Sequence, residues 1–337
     1  MDDQLKKLTA KKYRLDALRP LPTELIKNLD EWYKIELTYT SNAIEGNTLT
    51  RAETALVVEK GITVQGKSLT EHLEAKNHAA AVDFVKELAI RTKPTDITQD
   101  TILDIHRHIL KGIDDANAGR YRTVPVRVQG SRTIFPNYMR VPDRMADFIT
   151  ELHEIAKKEH PVVVAAFAHF RLVSIHPFVD GNGRASRLLM NLILEQAGYP
   201  PAIIQKEDRL KHINALEQSR TTENPSLFYA VVGDAVDRSL DIYLDEEKTP
   251  VTGEQKLLKI GDVARLANEE VANVRYWTEQ GLLQLADRSV SGYRLYGPEA
   301  AERVKRIREL QQQRLTLAEI KEKLDTAEPE NTNHQFS

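Results

Sequence analysis

Apolar residues recur with a period of about 3.6 over most of the chain up to residue 244, and this period predicts amphipathic α-helices. The same stretches are rich in Ala, Leu, Glu and Lys, which favour helices. We expect helices over residues 69–90, 101–110, 143–160, 161–175 and 184–198, and two more that end near residue 243. The pattern therefore predicts a mainly α fold.

One internal stretch and the C-terminal part depart from this pattern. Residues 122–136 are rich in Val, Thr and Ile around a Gln-Gly-Ser turn, which predicts a β-hairpin. Residues 244–256 are charged and contain Pro250 and Gly253, so we interpret them as a linker to a small helical module with one short hairpin. The expected organisation is an N-terminal helical region (1–97), a helical core (98–243), the linker (244–256), the C-terminal module (257–325) and a disordered tail (326–337).

Composition narrows the possible chemistry. The 337 residues carry a formal net charge of −3 and include no cysteine. Disulfides, cysteine nucleophiles, iron–sulfur clusters and thiolate zinc sites are therefore excluded. No apolar run approaches the roughly 20 residues of a membrane span, and the first residues are too polar for a signal peptide. We therefore expect a cytoplasmic protein that does not enter a membrane.

The densest group of chemically active residues is the segment 176–187 (HPFVDGNGRASR), which lies between two predicted helices. Residues 180–183 interrupt the helix and offer backbone N–H groups at the start of the next one, where the macrodipole favours an anion. Arg184 and Arg187 share one helix face and complete a cradle for a polyphosphate. Asp180 can hold a divalent cation, and His176 can act as a general base. The alternative is a plain capped turn with surface arginines.

A second notable segment, 41–47 (SNAIEGN), precedes the core. Taken alone, it predicts a short helix with Ser41 as its N-cap and Gly46 or Asn47 at its end. Glu45 would then be an ordinary surface carboxylate.

The segment 176–187 matches every defining position of HPFxDGNGRxxR, the signature of the Fic family, and the similarity covers about residues 100–235. This resemblance implies a helical Fic fold with a β-hairpin flap, and transfer of AMP from ATP to a hydroxyl group of a target protein with release of pyrophosphate. It also implies that His176 takes the hydroxyl proton and that Asp180 binds Mg²⁺. The implied phosphate-binding residues are Gly181, Asn182, Gly183, Arg184 and Arg187.

The segment 41–47 fits the family's inhibitory pattern, Ser/Thr-x-x-x-Glu-Gly/Asn. The resemblance implies that Glu45 pairs with Arg187 and opposes productive ATP binding, and in some members the same glutamate helps to remove AMP from the target. The flap would dock the main chain of the target protein, and the chain itself is one candidate target. The flap tip over the nucleotide would consist of Gln129, Gly130, Ser131 and Arg132. Relatives often have a tyrosine at the position of His212, so His212 is a candidate contact to the base.

The C-terminal module resembles the winged helix-turn-helix of the MerR family, with a turn at 268–270 and a hairpin at 288–296. That resemblance implies that Arg275, Tyr276, Tyr293 and Arg294 contact the DNA phosphate backbone or frame it. However, residues 256–325 contain 13 basic and 11 acidic side chains, so phosphate attraction by one copy would be weak. A single long helix after Pro298 carries an apolar stripe on which a homodimer could pair, formed by Val304, Ile307 and Leu310.

The sequence leaves more than one function open. The first is an autoinhibited, Mg²⁺-dependent protein adenylyltransferase that carries a winged-helix module. The second is a DNA-binding regulator in which the Fic domain is a subsidiary nucleotide-dependent module. Transfer of a different group, such as UMP or phosphate, is a third, and the C-terminal module could instead dock proteins or dimerise.

Overall fold

The computed structural model describes residues 2–127, 133–248, 257–288, 294–313 and 315–326. The chain divides into two units, residues 1–246 and 247–337. Among the described residues, no helix combines the length and the apolar character needed to cross a membrane. Of the predicted tail, 326–337, the structure describes only residue 326.

The first unit is helical, as the apolar pattern predicts. Its helices are α1 (Asp2–Ala17), α2 (Thr23–Ile44), α3 (Arg51–Lys60), α4 (Leu69–Arg91), α5 (Gln99–Leu110), α6 (Val141–Ala156), α7 (Pro161–Ile175), α8 (Asn182–Gln196), α9 (Arg209–Thr221) and α10 (Ser226–Lys248). Helix α8 packs against α7, α4, α5 and α2 and buries nearly all of its side chains, so it lies at the centre of this unit.

Local capping explains where several helices begin. Thr50 and Glu53 form a reciprocal capping box at the start of α3, and Ser68 and Glu71 form another at the start of α4. Pro161 occupies the first turn of α7, where its missing N–H costs no hydrogen bond. Helix α10 continues to Lys248, so the expected linker begins later than residue 244, and residues 249–256 lie outside the described part.

The expected short helix at 41–47 is wrong. Ser41 lies inside the last turn of the 22-residue helix α2, and Glu45 is the residue that follows its end. The polar side chains of this turn are buried against neighbouring helices, and these tertiary contacts outweigh the local preference of serine for an N-cap. Gly46, at φ 105°, then turns the chain away from the helix axis.

The expected β-hairpin at 122–136 is not formed by the residues that the structure describes. Residues 122–127 and 133–136 are not strands, and 128–132 lie outside the described part, including Gln129, Gly130, Ser131 and Arg132. The buried Arg122 guanidinium instead joins the two flanks, since it donates to the Val124 carbonyl at 3.1 Å and to the Pro136 carbonyl at 2.6 Å. These side-chain bonds replace the strand ladder that the Val- and Thr-rich sequence suggested.

The second unit contains the predicted helix-turn-helix and a small antiparallel sheet. Its elements are β1 (Leu258–Lys259), α11 (Ile260–Leu266), α12 (Val271–Glu279), β2 (Asp287–Arg288), β3 (Arg294–Tyr296), α13 (Ala300–Gln312) and α14 (Leu317–Thr326). The strand order is β1-β3-β2, with Leu258 opposite Tyr296 and Arg288 opposite Arg294. The predicted hairpin is therefore present, and the mainly α fold class is confirmed.

The end of the second unit differs from the prediction in two ways. The expected single helix is two helices, because α13 ends at Gln312 and α14 begins at Leu317. The apolar stripe of Val304, Ile307 and Leu310 is buried in the core of this unit, together with residues of α11, α12 and α14. The stripe therefore packs internally and is not available to pair with a second copy.

Candidate active site

The 176–187 turn joins α7 to α8, and two residues in the left-handed region shape it. His176, at φ 53°, ends α7, and Gly181, at φ 77°, precedes α8. The Asn182 side chain closes the turn, since its Oδ1 accepts from the Phe178 N–H at 2.9 Å and its Nδ2 donates to the Phe178 carbonyl at 2.9 Å. Asn182 therefore has only its backbone N–H to offer to a bound phosphate.

The first turn of α8 faces Glu45. Arg187 donates to Glu45 Oε1 at 2.7 Å, and it also donates to the hydroxyl of Ser41 at 2.9 Å and to the Ser41 carbonyl at 3.0 Å. A Cβ atom on Gly183 would overlap the Glu45 carboxylate, so a larger residue here would require that carboxylate to move. The predicted ion pair is present, and its carboxylate lies at a helix N-terminus that favours anions.

The surroundings keep Glu45 ionised. Burial alone would raise the pKa of Glu45, but the charge and the hydrogen bond of Arg187 bring that pKa below its ordinary value. Arg209 donates from Nε to the Ile44 carbonyl at 2.8 Å and so satisfies the end of α2 next to Glu45. At neutral pH the Glu45 carboxylate therefore remains charged and occupies Arg187.

His176 has the tautomer that a general base needs. Its Nδ1 lies 3.3 Å from the Val173 carbonyl, which can only accept, so Nδ1 carries the proton and Nε2 keeps its lone pair. The ring packs on Phe135, with ring centroids 4.1 Å apart. Burial lowers the pKa of His176 to about 4, so the imidazole is neutral at physiological pH. Its backbone carbonyl accepts from Arg122 at 2.8 Å, which ties the base to the segment 122–136.

Arg184 is buried and paired with two carboxylates. Its side chain is 2% exposed and donates to Glu74 Oε1 at 2.8 Å and to Asp180 Oδ2 at 2.8 Å. The residue is not part of the cavity lining described below. In this conformation two carboxylates hold the Arg184 guanidinium away from the cavity, so its expected contact with a phosphate stays a prediction.

A residue outside the motif fixes the backbone of the loop. His106 on α5 accepts from the Gly119 N–H at Nδ1, at 3.0 Å, and donates from Nε2 to the Asp180 carbonyl at 2.9 Å. Its ring stacks on Phe178 with centroids 3.6 Å apart and planes within 4°. Burial lowers the pKa of His106 to about 4, which keeps the accepting nitrogen unprotonated. A lone histidine in an amphipathic helix gives no sequence signal for this role.

The turn opens into a cavity of about 540 Å³, which is lined by Glu45, His176, Asp180, residues 181–183 and Arg187, and by side chains of α7 and α9. Two of those side chains are His169 and His212, whose rings lie 5.2 Å apart. Neither ring has a hydrogen-bond partner among the described residues. Burial lowers the pKa of His212 to about 3 and that of His169 well below its ordinary value. Two buried neutral imidazoles therefore line the cavity with unused donors and acceptors, and the sequence reasoning had identified only His212.

The side chains at the cavity suit Mg²⁺ only if a substrate supplies further oxygen ligands. In the described residues no group of three or more His, Cys, Asp or Glu side chains could hold a metal ion. Asp180 lies at the cavity with its side chain 65% exposed, and its Oδ1 has no hydrogen bond in the described part of the chain. Because Mg²⁺ is commonly held by one or two carboxylates together with substrate phosphates, a single exposed aspartate at this place fits it.

The predicted DNA-contact residues of the second unit are largely engaged within that unit. Arg275 is 3% exposed, and Tyr276 packs against the core. Arg294 donates to Glu279 at 2.9 Å. Tyr293 lies outside the described residues. In this conformation Arg275 and Arg294 do not present the open guanidinium groups that the DNA hypothesis expected.

Comparisons with known proteins agree with these features. A model of the Fic/DOC family matches residues 96–194, and a model of MerR HTH family regulatory proteins matches residues 258–327. The proteins named protein adenylyltransferase Fic from Drosophila willistoni and Culex quinquefasciatus are each 37% identical to this chain over 242 residues, 72% of its length. The match covers 47% of each relative, so the chain spans about half the length of the curated relatives it matches.

Solved structures extend the similarity to the fold. A Fic domain containing signalling protein from Bacteroides thetaiotaomicron is 29% identical with a TM-score of 0.67, over 74% of this chain and 99% of that one. Fic-1 from C. elegans is 33% identical with a TM-score of 0.65, over 74% of each chain. With its complete HPFxDGNGRxxR loop between α7 and α8, this chain belongs to the Fic/DOC family.

Proposed function

We propose that the chain is a protein adenylyltransferase that transfers AMP from ATP to a hydroxyl group of a target protein and is held inactive by Glu45. The observation that carries the proposal is the ion pair between Glu45 and Arg187 near the N-terminus of α8, in a cavity that a neutral His176 also lines. The relatives named protein adenylyltransferase Fic support the reaction class.

The chemical step follows from the tautomer of His176. Nε2 accepts the proton of the target hydroxyl while the hydroxyl oxygen bonds to the α-phosphorus. The bond from that phosphorus to the bridging oxygen breaks, and pyrophosphate leaves with its electron pair. The N–H groups of residues 181–183, aligned with the dipole of α8, stabilise the charge that develops on the phosphoryl oxygens. Asp180 would hold Mg²⁺, which neutralises phosphate charge when it is bound.

Inhibition is a competition for one guanidinium. Arg187 is 7% exposed and donates to Glu45 and Ser41, so a γ-phosphate can use it only if Glu45 leaves. The Glu45 carboxylate also lies on Gly183 and would repel any phosphate that approaches the same helix end. ATP would therefore bind in a pose in which the α-phosphorus is not presented to the hydroxyl group.

The nucleobase of ATP and the target protein have separate candidate contacts. The unpaired ring nitrogens of His212 and His169, which line the cavity, support recognition of a base edge there. The flanks of the undescribed segment 128–132 expose apolar side chains, with Ile134 at 78% and Val124 at 49%, and these favour docking of a target protein. The target, which includes a second copy of this chain among the candidates, would then present its hydroxyl group beside His176.

The regulator hypothesis has weaker support. It rests on the match of residues 258–327 to the MerR HTH family, while Arg275 is buried and Arg294 is paired. A homodimer has no support from the apolar stripe of α13, because that stripe is buried within the second unit. A gel-shift titration against random duplex DNA at two salt concentrations tests DNA binding, because phosphate contacts weaken as salt rises.

The proposal is tested by label transfer to protein from ATP labelled at the α- or the γ-phosphate, with Mg²⁺ and a cell lysate. We expect a weak signal from the unmodified chain, a strong α-label signal from Glu45→Gly, and a signal lowered by roughly 10²-fold or more in Glu45→Gly with His176→Ala. Transfer of the γ-label instead would identify a phosphotransferase. A silent Glu45→Gly variant with labelled ATP, CTP, GTP and UTP would contradict nucleotidyl transfer.

A further inference from the structure

Glu74, on α4, is a largely buried carboxylate that no sequence motif marks. Its side chain is 18% exposed. Its Oε1 accepts from Arg184 at 2.8 Å, and its Oε2 accepts from the Asn47 side chain at 2.9 Å. Both oxygens are therefore fixed, one by the α8 arginine and the other by the residue that ends the 41–47 segment.

Arg184 connects this carboxylate to the cavity. The guanidinium lies between Glu74 and Asp180 and donates to one oxygen of each at 2.8 Å. The Asp180 side chain reaches the cavity and is 65% exposed, whereas Arg184 is 2% exposed. The arrangement holds Asp180 by its Oδ2 and leaves its Oδ1 without a hydrogen bond in the described part of the chain.

The charges explain why a second carboxylate is needed. A buried arginine beside Asp180 alone would form a neutral pair, which attracts a divalent cation poorly. With Glu74 the three side chains carry one net negative charge, and the exposed end of the group is Asp180. Glu74 also meets the need of the desolvated Arg184 for a buried partner, since an unpaired buried charge is strongly destabilising.

We propose that Glu74 is a positioning residue for the cation-binding carboxylate, because it neutralises Arg184 and so leaves Asp180 both its charge and its orientation toward the cavity. This inference rests on the proposed function, in which Asp180 holds Mg²⁺. It also assigns Arg184 a role through Asp180 in place of the direct phosphate contact that the family resemblance implied.

The test compares Glu74→Gln with Asp83→Asn, both in the Glu45→Gly background. Asp83 is on the same helix and forms a surface ion pair with Lys34, so its substitution removes the same charge away from the loop. We expect Glu74→Gln to raise the Mg²⁺ concentration that half-saturates ATP binding by about tenfold, in line with the effect of removing outer partners of metal ligands. In EDTA, the ATP affinity of Glu74→Gln should stay within about twofold of that of the parent. The Mg²⁺ requirement of Asp83→Asn should also stay within about twofold of that of the parent.

Two binding results would overturn the proposal. One is an unchanged Mg²⁺ requirement in Glu74→Gln. The other is an equal loss of ATP affinity with and without Mg²⁺, which would make Arg184 a phosphate ligand. A parent that transfers no label would contradict the proposed function separately.

Amide hydrogen exchange without nucleotide tests the positioning role independently of activity. The amides of residues 180–183 should exchange faster in Glu74→Gln than in Asp83→Asn, because the loop loses the anchor that reaches it through Arg184. Equal exchange rates in the two variants would contradict the role of Glu74 even if the enzyme transfers AMP.

Discussion

The two units of the chain use their motif residues differently. In the first unit, His176, Asp180 and Arg187 line one cavity, and Arg187 is held by a carboxylate that a phosphate could replace. In the second unit, Arg275 is buried and Arg294 is paired with Glu279. A motif match therefore predicts the fold in both units, but the chemistry depends on whether its charged groups face a space that a ligand can enter.

The largest expected effect that separates the two units is the loss of His176. In the Glu45→Gly background, His176→Ala should lower the rate of adenylyl transfer by roughly 10²–10⁴-fold, because the hydroxyl proton loses its acceptor. ATP affinity, measured by calorimetry, should change by less than about threefold. An active His176→Ala variant would remove the main functional distinction of the first unit.

The next largest effect concerns recognition of the nucleobase by the cavity. His212→Phe keeps an aromatic ring but removes both ring nitrogens, so a base edge loses its partner at this position. We expect the preference for ATP over other nucleotides, measured as kcat/KM in the Glu45→Gly background, to fall by about tenfold. The control is His72→Phe, at a histidine of α4 that does not line the cavity. Because this change removes hydrogen bonds to Val64 and Ser68, denaturant titration checks that the control variant is folded. An unchanged preference in His212→Phe would place base recognition elsewhere.

A smaller effect is expected from pH. The neutral form of His176 accepts the proton, and its pKa of about 4 keeps it neutral throughout the range from pH 8 to pH 6. The kcat of Glu45→Gly should therefore change by less than about twofold over that range. An imidazole with an ordinary pKa would lose about three quarters of its neutral form by pH 6. A fall of that size would show that His176 is more hydrated than its packing on Phe135 indicates.

The smallest effect on transfer is expected in the second unit. Arg294→Ala should leave the transfer rate within about twofold and lower the free energy of unfolding by about 1 kcal/mol, because it removes a partly buried pair with Glu279. Denaturant titration measures the stability, and a gel shift measures DNA binding. If Arg294→Ala weakens DNA binding and reduces its salt dependence, the second unit presents this arginine to DNA and the contrast between the units fails.

Much of the fold was predictable because the helices of the first unit follow a regular apolar period. Helices α4, α5 and α7 end within about two residues of the positions expected from the pattern. The end of α2 was not predictable, because Ser41 is a strong N-cap candidate by local preference and only tertiary burial keeps it inside a helix. The strands expected within 122–136 are absent from the described residues of that segment for a related reason. Arg122 joins the two flanks through side-chain hydrogen bonds, and such bonds leave no periodic pattern in the sequence.

The site itself was predictable where its residues are adjacent in sequence. His176, Asp180 and Arg187 lie within one short motif. Glu45 lies in a second pattern, 41–47, and the family resemblance implies that it pairs with Arg187. Glu74 and His106 were not found, because each acts through contacts outside its own helix and is surrounded in sequence by ordinary helix positions. The orientation of Arg184 was also beyond the sequence, since it depends on which carboxylate α4 brings to it.

The central claim is that Glu45 and ATP compete for Arg187. The most direct test measures adenylyl transfer at saturating ATP and Mg²⁺ for the unmodified chain, Glu45→Gln and Glu45→Gly. We predict that the rate rises in that order, with Glu45→Gly about 5- to 150-fold above the unmodified chain, because removing the charge weakens the pair and removing the side chain clears the end of α8. Equal rates in all three proteins would contradict the competition and leave the Glu45–Arg187 pair as a purely structural contact.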